Sequence, residues 1–400
     1  MTSARPDRIL VVVACVLAAM IVLPLGARAT ANRWHDDTVW ANSLRSLGGL
    51  QLPFDFAVYL RAADDVRAGD NPYVDPDRIT EESAAPYVYP PLLALVLVSA
   101  TALPDTVRGS SPAAVLVSLL AIASIVGALL ALGVRDWRCY PVALLYPPTV
   151  ENVEYGAVGP ILVLLVALGW RYRERIAPAS LTIGAAIVLK VFLWPLVVWL
   201  AATRRWKTSA GAVGVAAGLA LMSWVAIAFR GLADYPELVR RLSDIEAANS
   251  YSVYAIFAAL GVPAGAARAL VGLLAIVLLV LGWRAARGDA TSGDRRSLTL
   301  ALAAGLVATP ILWLHYLVLL VVPIALARPR LSALWLAPLA FTVFELLDWY
   351  RGWPRGDGPA LASVALITLV VLVVCSLPER SARSGAALRA AGASGDTPGR

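Results

Sequence analysis

The chain has 400 residues, of which 59% are hydrophobic and only 15% are charged, and its mean hydropathy is +0.72. About a quarter of the residues of a soluble globular domain are charged, so this chain could not cover its own surface in water. These values exclude a soluble enzyme, a coiled coil and a disordered protein. The net charge of +7 is spread in short clusters between apolar runs, which argues against nucleic acid as a partner.

The chain begins with an apolar run at residues 9–26. A cleaved signal peptide would look similar, but the many later runs favour an uncleaved first membrane helix with a cytoplasmic N-terminus. The stretch at 28–88 is polar, with six arginines and ten acidic residues up to Tyr87. Because this stretch is net acidic, we expect it to be an extracytoplasmic loop.

Ten further apolar runs follow, and short basic links separate many of them. The runs are 89–103, 112–134, 139–150, 157–170, 178–203, 209–229, 264–283, 297–327, 331–347 and 359–377. The basic links are Arg135/Arg138, Arg171/Arg173/Arg175, Arg204/Arg205/Lys207, Arg284/Arg287/Arg295/Arg296 and Arg328/Arg330. Basic links of membrane proteins face the cytoplasm. The pattern predicts a plasma-membrane protein with about twelve crossings and a disordered cytoplasmic tail at 378–400.

Three runs must fold back on themselves if the links at both of their ends are cytoplasmic. The run 178–203 would turn between Lys190 and Pro195, 297–327 near Thr309-Pro310, and 139–170 between Glu151 and Gly159. Arms of about 12–17 residues are about 18–25 Å long, shorter than a bilayer core of about 30 Å. The tips would then lie in a cavity below the outer membrane surface.

The same charge pattern requires that one of the runs 89–103 and 112–134 does not cross the membrane completely. The run 89–103 is the shorter of the two.

The outer loop contains an amphipathic helix at 54–69. At 100° per residue, Arg61, Asp64 and Asp65 share one face, whereas Asp55 falls on the opposite, apolar face. Gly69 predicts the C-terminal end of the helix. Two interpretations of Asp55 are open: a cap of the helix N-terminus or a functional carboxylate facing protein or lipid.

Lys190 and His315 are the other unusual polar residues. The chain has only two lysines, and Lys190 lies inside an apolar run, where a cation costs roughly 2.5–3.5 kcal/mol and is usually paired or functional. The alternative is a lysine that extends to the membrane interface. His315 follows an expected tip beside Trp313 and Tyr316, and it is either a core histidine or part of a site. Glu151, Asn152, Glu154 and Tyr155 lie at a further tip.

The order of these features resembles glycosyltransferase family 87, which contains polyprenyl-phosphate-mannose-dependent mannosyltransferases and arabinofuranosyltransferases and has the GT-C fold. The matching segments are Asp55-Phe56-Ala57-Val58-Tyr59 with Gly69-Asp70-Asn71-Pro72-Tyr73, Tyr87-Val88-Tyr89-Pro90-Pro91-Leu92, Leu189-Lys190 followed by Arg204-Arg205-Trp206, Asn249-Ser250, and Thr309-Pro310-Ile311-Leu312-Trp313-Leu314-His315-Tyr316. The sequence departs from the family at Glu154-Tyr155-Gly156-Ala157 and at Leu314. These departures bear on the sugar or acceptor more than on the fold.

The resemblance implies an all-α, GT-C-like bundle of about twelve transmembrane helices over residues 1–377, with a helical first extracytoplasmic loop. It implies transfer of a sugar, with mannose favoured, from a polyprenyl-phosphate donor to a glycolipid or polysaccharide acceptor, with inversion. Asp55 would be the general base, and Lys190 and His315 would stabilise the departing phosphate. Six further residues are expected to contact substrate: Tyr59, Tyr73, Tyr89, Glu154, Asn249 and Trp313. No cofactor is predicted, and the metal requirement is left open.

Two other classes of protein remain as alternatives. A lipid or solute transporter would show internal repeats and ionisable residues along a path through the bilayer, but the polar residues here gather on one side. A non-enzymatic scaffold would leave Lys190 and Asp55 without a role. An enzyme predicts that Asp55, Lys190 and His315 border one outward-facing cavity.

Overall fold

The computed structural model describes residues 54–79, 86–102, 111–246, 250–288, 290–341 and 359–377. These residues form helices and connecting segments and no β-strand, which confirms the prediction of an all-α protein for the part of the chain described. The first apolar run, Asn249 and the tail at 378–400 lie outside these residues.

The helices are numbered in chain order. They are α1 Phe54–Ala68, α2 Leu92–Thr101, α3 Ser111–Ala131, α4 Cys139–Leu144, α5 Pro147–Tyr155, α6 Gly159–Arg171, α7 Ile176–Leu189, α8 Pro195–Ala202, α9 Trp206–Ala226, α10 Tyr235–Ile245, α11 Val253–Ala259, α12 Ala264–Ala285, α13 Ala290–Ala308, α14 Val321–Ala327, α15 Ala333–Leu336 and α16 Pro359–Ser376. Short 3₁₀ helices lie at Pro76–Arg78, Val191–Leu193, Leu314–Leu320 and Ala337–Ala340.

Most of the described helices are too short to cross a bilayer alone. Among the described residues, α9 and α12 have the necessary length and apolar composition, and α5 with α6 forms a third span if the pair, bent by 120°, is counted as one. Helix α2 has 10 residues, or about 15 Å at 1.5 Å per residue, half the thickness of the hydrocarbon core. The number of twelve crossings stays a prediction.

The chain turns at the three predicted tips. Helix α7 ends at Leu189 and α8 begins at Pro195, and Arg205 beyond α8 pairs with Glu174 before α7 at 2.5 Å. The two arms therefore run back along each other. The second turn lies between α13 and Leu314, and Arg295 near the start of α13 donates to the carbonyl of Leu326 near the end of α14, at 3.5 Å. The third turn is the bend between α5 and α6.

Contacts between the basic links place them at one end of the bundle, which we call the basic end. Asp136 accepts hydrogen bonds from Arg138 and from the backbone N–H of Leu331, which joins the first and last of the predicted links. Asp294 pairs with both Arg173 and Arg205. Lys190, Glu151 and His315 lie at the far ends of the same arms, which we call the tip end.

Close packing between the arms depends on small residues. A Cβ at Gly184 in α7 would lie 2.7 Å from the side chain of Val215 in α9 and 2.9 Å from the carbonyl oxygen of Ala212, so the two backbones approach as near as a glycine permits. Their outer faces carry exposed apolar side chains such as Leu181 and Met222, as expected where lipid is the solvent.

Candidate active site

A cavity of about 230 Å³ lies at the tip end. Its walls come from α1, the extended segment 86–91, α5, α10 and the segment that follows α13. The lining residues are Phe54, Asp55, Val58, Tyr59, Pro86, Val88, Tyr89, Glu151, Tyr155, Leu242, Glu246, Ile311, Trp313, His315 and Tyr316. Most of this surface is aromatic or aliphatic, with a few convergent polar groups, which is the usual composition of a ligand site.

Asp55 points into this cavity from the first turn of α1. Its carboxylate accepts a hydrogen bond from the hydroxyl of Tyr59, one turn later, at 3.3 Å. The hydroxyls of Tyr59 and Tyr89 lie 2.8 Å apart, so Tyr89 is the donor to Tyr59. Helix α1 ends as predicted at Gly69, which has a φ of +80° and lets the chain turn back.

His315 lies between two carboxylates. Its Nε2 is 3.9 Å from Asp55 Oδ2, and its Nδ1 is 3.8 Å from Glu151 Oε2. The imidazole is buried, with 6% of the side chain exposed, and it meets the ring of Tyr155 edge-on. The histidine is therefore part of a polar cluster and not an isolated core residue.

Lys190 lies behind the wall of the main cavity. It lines a small adjoining void together with Tyr89, His315 and Tyr316. Its ammonium is 4.1 Å from the ring centroids of both Tyr89 and Tyr316 and donates a hydrogen bond to the Tyr316 hydroxyl. Cation–π contacts of this kind stabilise a desolvated cation, so Lys190 is paired inside the protein and does not extend to the interface.

The surroundings of Asp55 change its acidity. Removal from water raises the pKa of the Asp55 carboxyl to about 6, although the nearby charge of Lys190 and the hydrogen bond from Tyr59 act to lower the pKa. A carboxylate with a pKa this close to neutrality is a stronger base than an ordinary aspartate and is still ionised at pH 7.

Tyrosine side chains fix the segment 86–91, which contributes Tyr89 to the cavity. Tyr73 donates to the carbonyl of Tyr89 at 2.9 Å, and Tyr235 donates to the carbonyl of Val88 at 2.8 Å. Tyr87 donates to the carbonyl of Pro90 and accepts from the N–H of Ala94. These bonds satisfy backbone groups that no helix satisfies.

The segment 309–313 is held by the loop before α11. Tyr251 donates its N–H to the carbonyl of Leu312 at 2.8 Å, and the N–H of Leu312 donates to the hydroxyl of Ser250 at 2.9 Å. Two distant stretches of the sequence, 250–251 and 309–316, thus become neighbours. This pairing fixes the backbone just before Trp313 and His315.

The structure brings together most of the predicted site residues. Asp55, Tyr59, Tyr89, Trp313 and His315 line the main cavity, and Lys190 lines the adjoining void. Tyr73 supports Tyr89 and lies in a separate polar cleft next to α1. Glu154 is not among the residues that line either void, whereas Glu151, one turn earlier on α5, lines the main cavity.

Three residues of the site were noted at or near the predicted tips but were given no role from the sequence: Glu151, Tyr316 and Asn152. The first two line the cavity, and the buried amide of Asn152 donates to the carbonyl of His315 at 2.6 Å. Their presence at the predicted tips was the available signal.

Within the described residues no group of three or more His, Cys, Asp or Glu side chains forms a metal site, and Asp75 caps the 3₁₀ helix Pro76–Arg78.

The fold and the cavity together combine helices apolar and long enough to span a membrane with a carboxylate in a largely apolar pocket. The family model for glycosyltransferase family 87 matches residues 87–312, more than half of the chain. The chain belongs to glycosyltransferase family 87 and is therefore a glycosyltransferase that acts on a sugar donor and an acceptor. Neither the curated proteins nor the solved structures give a match to this chain.

Proposed function

We propose that this glycosyltransferase moves a sugar, with mannose as the first choice, from a polyprenyl-phosphate donor to a glycolipid or polysaccharide of the cell envelope. The reaction takes place on the extracytoplasmic face of the plasma membrane. The observation that carries this proposal is the Asp55 carboxylate, raised in pKa and 3.9 Å from His315, in a largely apolar cavity. A water-soluble nucleotide sugar would be better served by a polar, basic pocket.

Asp55 is the general base of the proposed reaction. The acceptor hydroxyl attacks the anomeric carbon of the donor, and a new C–O bond forms as the bond from that carbon to the phosphate oxygen breaks. The hydroxyl proton passes to Asp55, and the electron pair of the broken bond leaves with the polyprenyl phosphate. Because a single displacement occurs, the anomeric configuration inverts. One base suffices because the phosphate is a good leaving group.

His315 and Lys190 support the charge that develops on the departing phosphate. When protonated, the imidazole of His315 has a carboxylate at each nitrogen, and its positive charge faces the cavity. Lys190 acts from behind the wall, through the Tyr316 hydroxyl that it holds. Positioned charges in a water-poor site stabilise a transition state without reorganisation.

The decisive experiment compares Asp55→Asn with Asp64→Asn in vesicles that contain purified protein, polyprenyl-phosphate mannose and an envelope glycolipid extract. Asp64 is on the same helix but 39% exposed, and it pairs with Arg67, so the second variant controls for the chemical change. We expect Asp55→Asn to lower mannosyl transfer at least roughly a thousandfold and Asp64→Asn to leave it within about twofold. Mass spectrometry of the glycolipids measures the product.

Several outcomes would contradict parts of the proposal. Transfer retained by Asp55→Asn would remove this residue as the base. A product formed only from polyprenyl-phosphate arabinofuranose would reassign the sugar but leave the reaction class in place. Donor accumulation inside vesicles, without any glycosylated lipid, would favour a transporter. Retention of the donor's anomeric configuration in the product would contradict a single displacement.

A further inference from the structure

A second cleft, of about 840 Å³, lies at the basic end, at the opposite end of the arms from the candidate active site. It is bordered by the C-terminal end of α8, the start of α9 and the C-terminal end of α12. Its charged residues are Arg204, Arg205, Arg287 and Asp294, and two tryptophans, Trp206 and Trp283, also line it. No step of the proposed sugar transfer uses this cleft.

The cleft has positive charge that the described residues do not neutralise. Asp294 is already bound by Arg205, at 2.9 Å, and by Arg173, at 2.8 Å. Arg204 and Arg287 are both exposed and have no acidic partner among the residues that the structure describes. Two guanidinium groups are thus available for an anion, and the planar guanidinium binds phosphate oxygens in a bidentate manner.

The backbone at Arg204 does not favour an arginine. Its φ is +64°, and the N–H of Arg205 donates to the carbonyl of Leu200 at 2.9 Å, as in the common helix end where glycine is preferred. Any residue with a Cβ is strained in this conformation. The side chain, and not the turn, therefore accounts for an arginine at this position.

The surroundings of the cleft fit a lipid. The rings of Trp206 and Trp283 lie 5.7 Å apart, and Trp206 is 56% exposed; tryptophan is enriched at the membrane interface. Helix α9 begins here and α12 ends here, and both are long and apolar enough to span a membrane. Along them, exposed apolar side chains such as Val213 and Val280 provide a path for acyl chains.

We propose that this cleft binds the phosphate headgroup of an anionic phospholipid, with the acyl chains along the exposed faces of α9 and α12. Basic pockets between transmembrane helices on the cytoplasmic side bind such headgroups, and the positive links predict that this end is cytoplasmic. The proposal does not depend on the sugar transfer. If lipid binding at this cleft is disproved, the proposed sugar transfer is unaffected, and the reverse also holds.

Native mass spectrometry of the detergent-solubilised protein with added phosphatidylglycerol tests the site. The double variant Arg204→Gly/Arg287→Gln removes both available cations, and glycine suits the backbone of Arg204, so the helix end is kept. We expect the Kd for phosphatidylglycerol to rise roughly 10- to 30-fold, since one arginine near an anionic lipid contributes about fivefold. Wild-type protein should bind phosphatidylcholine at least roughly tenfold more weakly than phosphatidylglycerol.

The matched control is Arg135→Gln/Arg330→Gln. These two exposed arginines lie at the same end, beside the bond between Asp136 and Leu331, and are not part of the cleft. The control should change the Kd by less than about twofold. An equal loss in the control, an unchanged Kd in the cleft variant, or equal binding of phosphatidylcholine would overturn the proposal. Displacement of the lipid by a few millimolar inorganic phosphate would assign the site to a free anion instead.

Discussion

The burial that makes the Asp55 carboxylate a stronger base also lowers the stability of the folded protein at neutral pH. Its pKa rises from 3.8 to about 6, mainly through loss of water, which corresponds to roughly 3 kcal/mol. Because the folded protein binds this proton more tightly than the unfolded chain, folding is favoured most below pH 4, and the advantage is lost as the pH rises to 6. Asp55→Asn should therefore be more stable than wild type at pH 7.5.

The pH dependence of transfer follows from the same pKa. A general base must be ionised, so kcat/KM should fall about tenfold per pH unit below about pH 6 and be level above it. Lys190→Met removes the positive charge that lowers the pKa of Asp55, so the acid limb should move to higher pH. The measurement is kcat/KM for the lipid-linked donor between pH 4.5 and 8.5, in wild type and in the variant.

Two results would argue against this account. A rate that does not change between pH 5 and 7 would mean that Asp55 is not the titrating base. An acid limb that moves to lower pH in Lys190→Met would mean that the lysine does not act on Asp55 through its charge. The Lys207→Met variant is the control, because Lys207 is exposed and lies at the basic end, away from the cavity.

At the scale of the element, the break between α5 and α6 builds one side of the site. Gly156 has a φ of +65°, which turns the chain after α5, and α6 starts at Gly159 with a bend of 120°. Asn152 fills the inside of this bend: its amide donates to the carbonyls of Pro148 and His315, each at 2.6 Å. The break thereby fixes the position of the His315 backbone.

Asn152 is therefore expected to be a positioning residue for His315. Asn152→Ala should lower kcat roughly 10- to 100-fold, since small displacements of a reacting group are costly, and leave KM within about threefold. In a His315→Gln background the same change should cost little, because its effect passes through His315. Rates of the two single variants and the double variant measure this coupling.

Gly159 offers an independent test of the same contact. A Cβ at this position would overlap the Asn152 amide oxygen, so Gly159→Ala should also lower kcat. Gly218→Ala is the control, because a Cβ at Gly218 meets nothing within 4 Å. Independent, additive losses from Asn152→Ala and His315→Gln, or equal effects of the two glycine variants, would show that Asn152 supports only the fold.

Sequence reasoning located these elements better than the side chains within them. Periodicity placed Asp55 on the apolar face of α1, and the structure puts Asp55 in the cavity, because a 15-residue helix has a clear face. Helix α5 has nine residues and is buried nearly all round, so its pattern did not distinguish Glu151 from Glu154. The sequence also did not show that Tyr316 lines the cavity whereas Tyr73 supports Tyr89 from a separate cleft. Both roles depend on contacts between segments that are distant in the sequence.

At the scale of the whole molecule, the two ends of the bundle differ in how charge is used. The tip end holds a few charges in a cavity, and the basic end ties its helices together with ion pairs. The basic links predicted this difference between the two ends, because their arginines and lysines can be read directly from the sequence. The partner that joins three of these links, Asp294, could not be predicted, since a single acid in a basic stretch has no periodicity.

Asp294 is expected to contribute strongly to stability. Its side chain is 4% exposed and accepts hydrogen bonds from Arg173, Arg205 and the indole of Trp199, so it connects α13 with the ends of α6 and α8. Asp294→Ala would leave the partly buried guanidinium groups of Arg173 and Arg205 with only the exposed carboxylate of Glu174 as an acidic partner, and breaking a buried pair in this way typically costs about 3–5 kcal/mol. Unfolding of the purified protein in mixed micelles, followed by circular dichroism, measures the loss.

Glu174→Gln provides the comparison, because Glu174 pairs with the same guanidinium of Arg205 at 2.5 Å but is 71% exposed. A surface pair of this kind contributes at most about 1 kcal/mol, so the variant should unfold nearly as wild type does. If Asp294→Ala and Glu174→Gln lower the free energy of unfolding equally, burial does not decide how much these ion pairs contribute to stability. If Asp294→Ala unfolds like wild type, the three arms are held together by apolar packing alone, and the ion pairs serve only to orient the chain in the membrane.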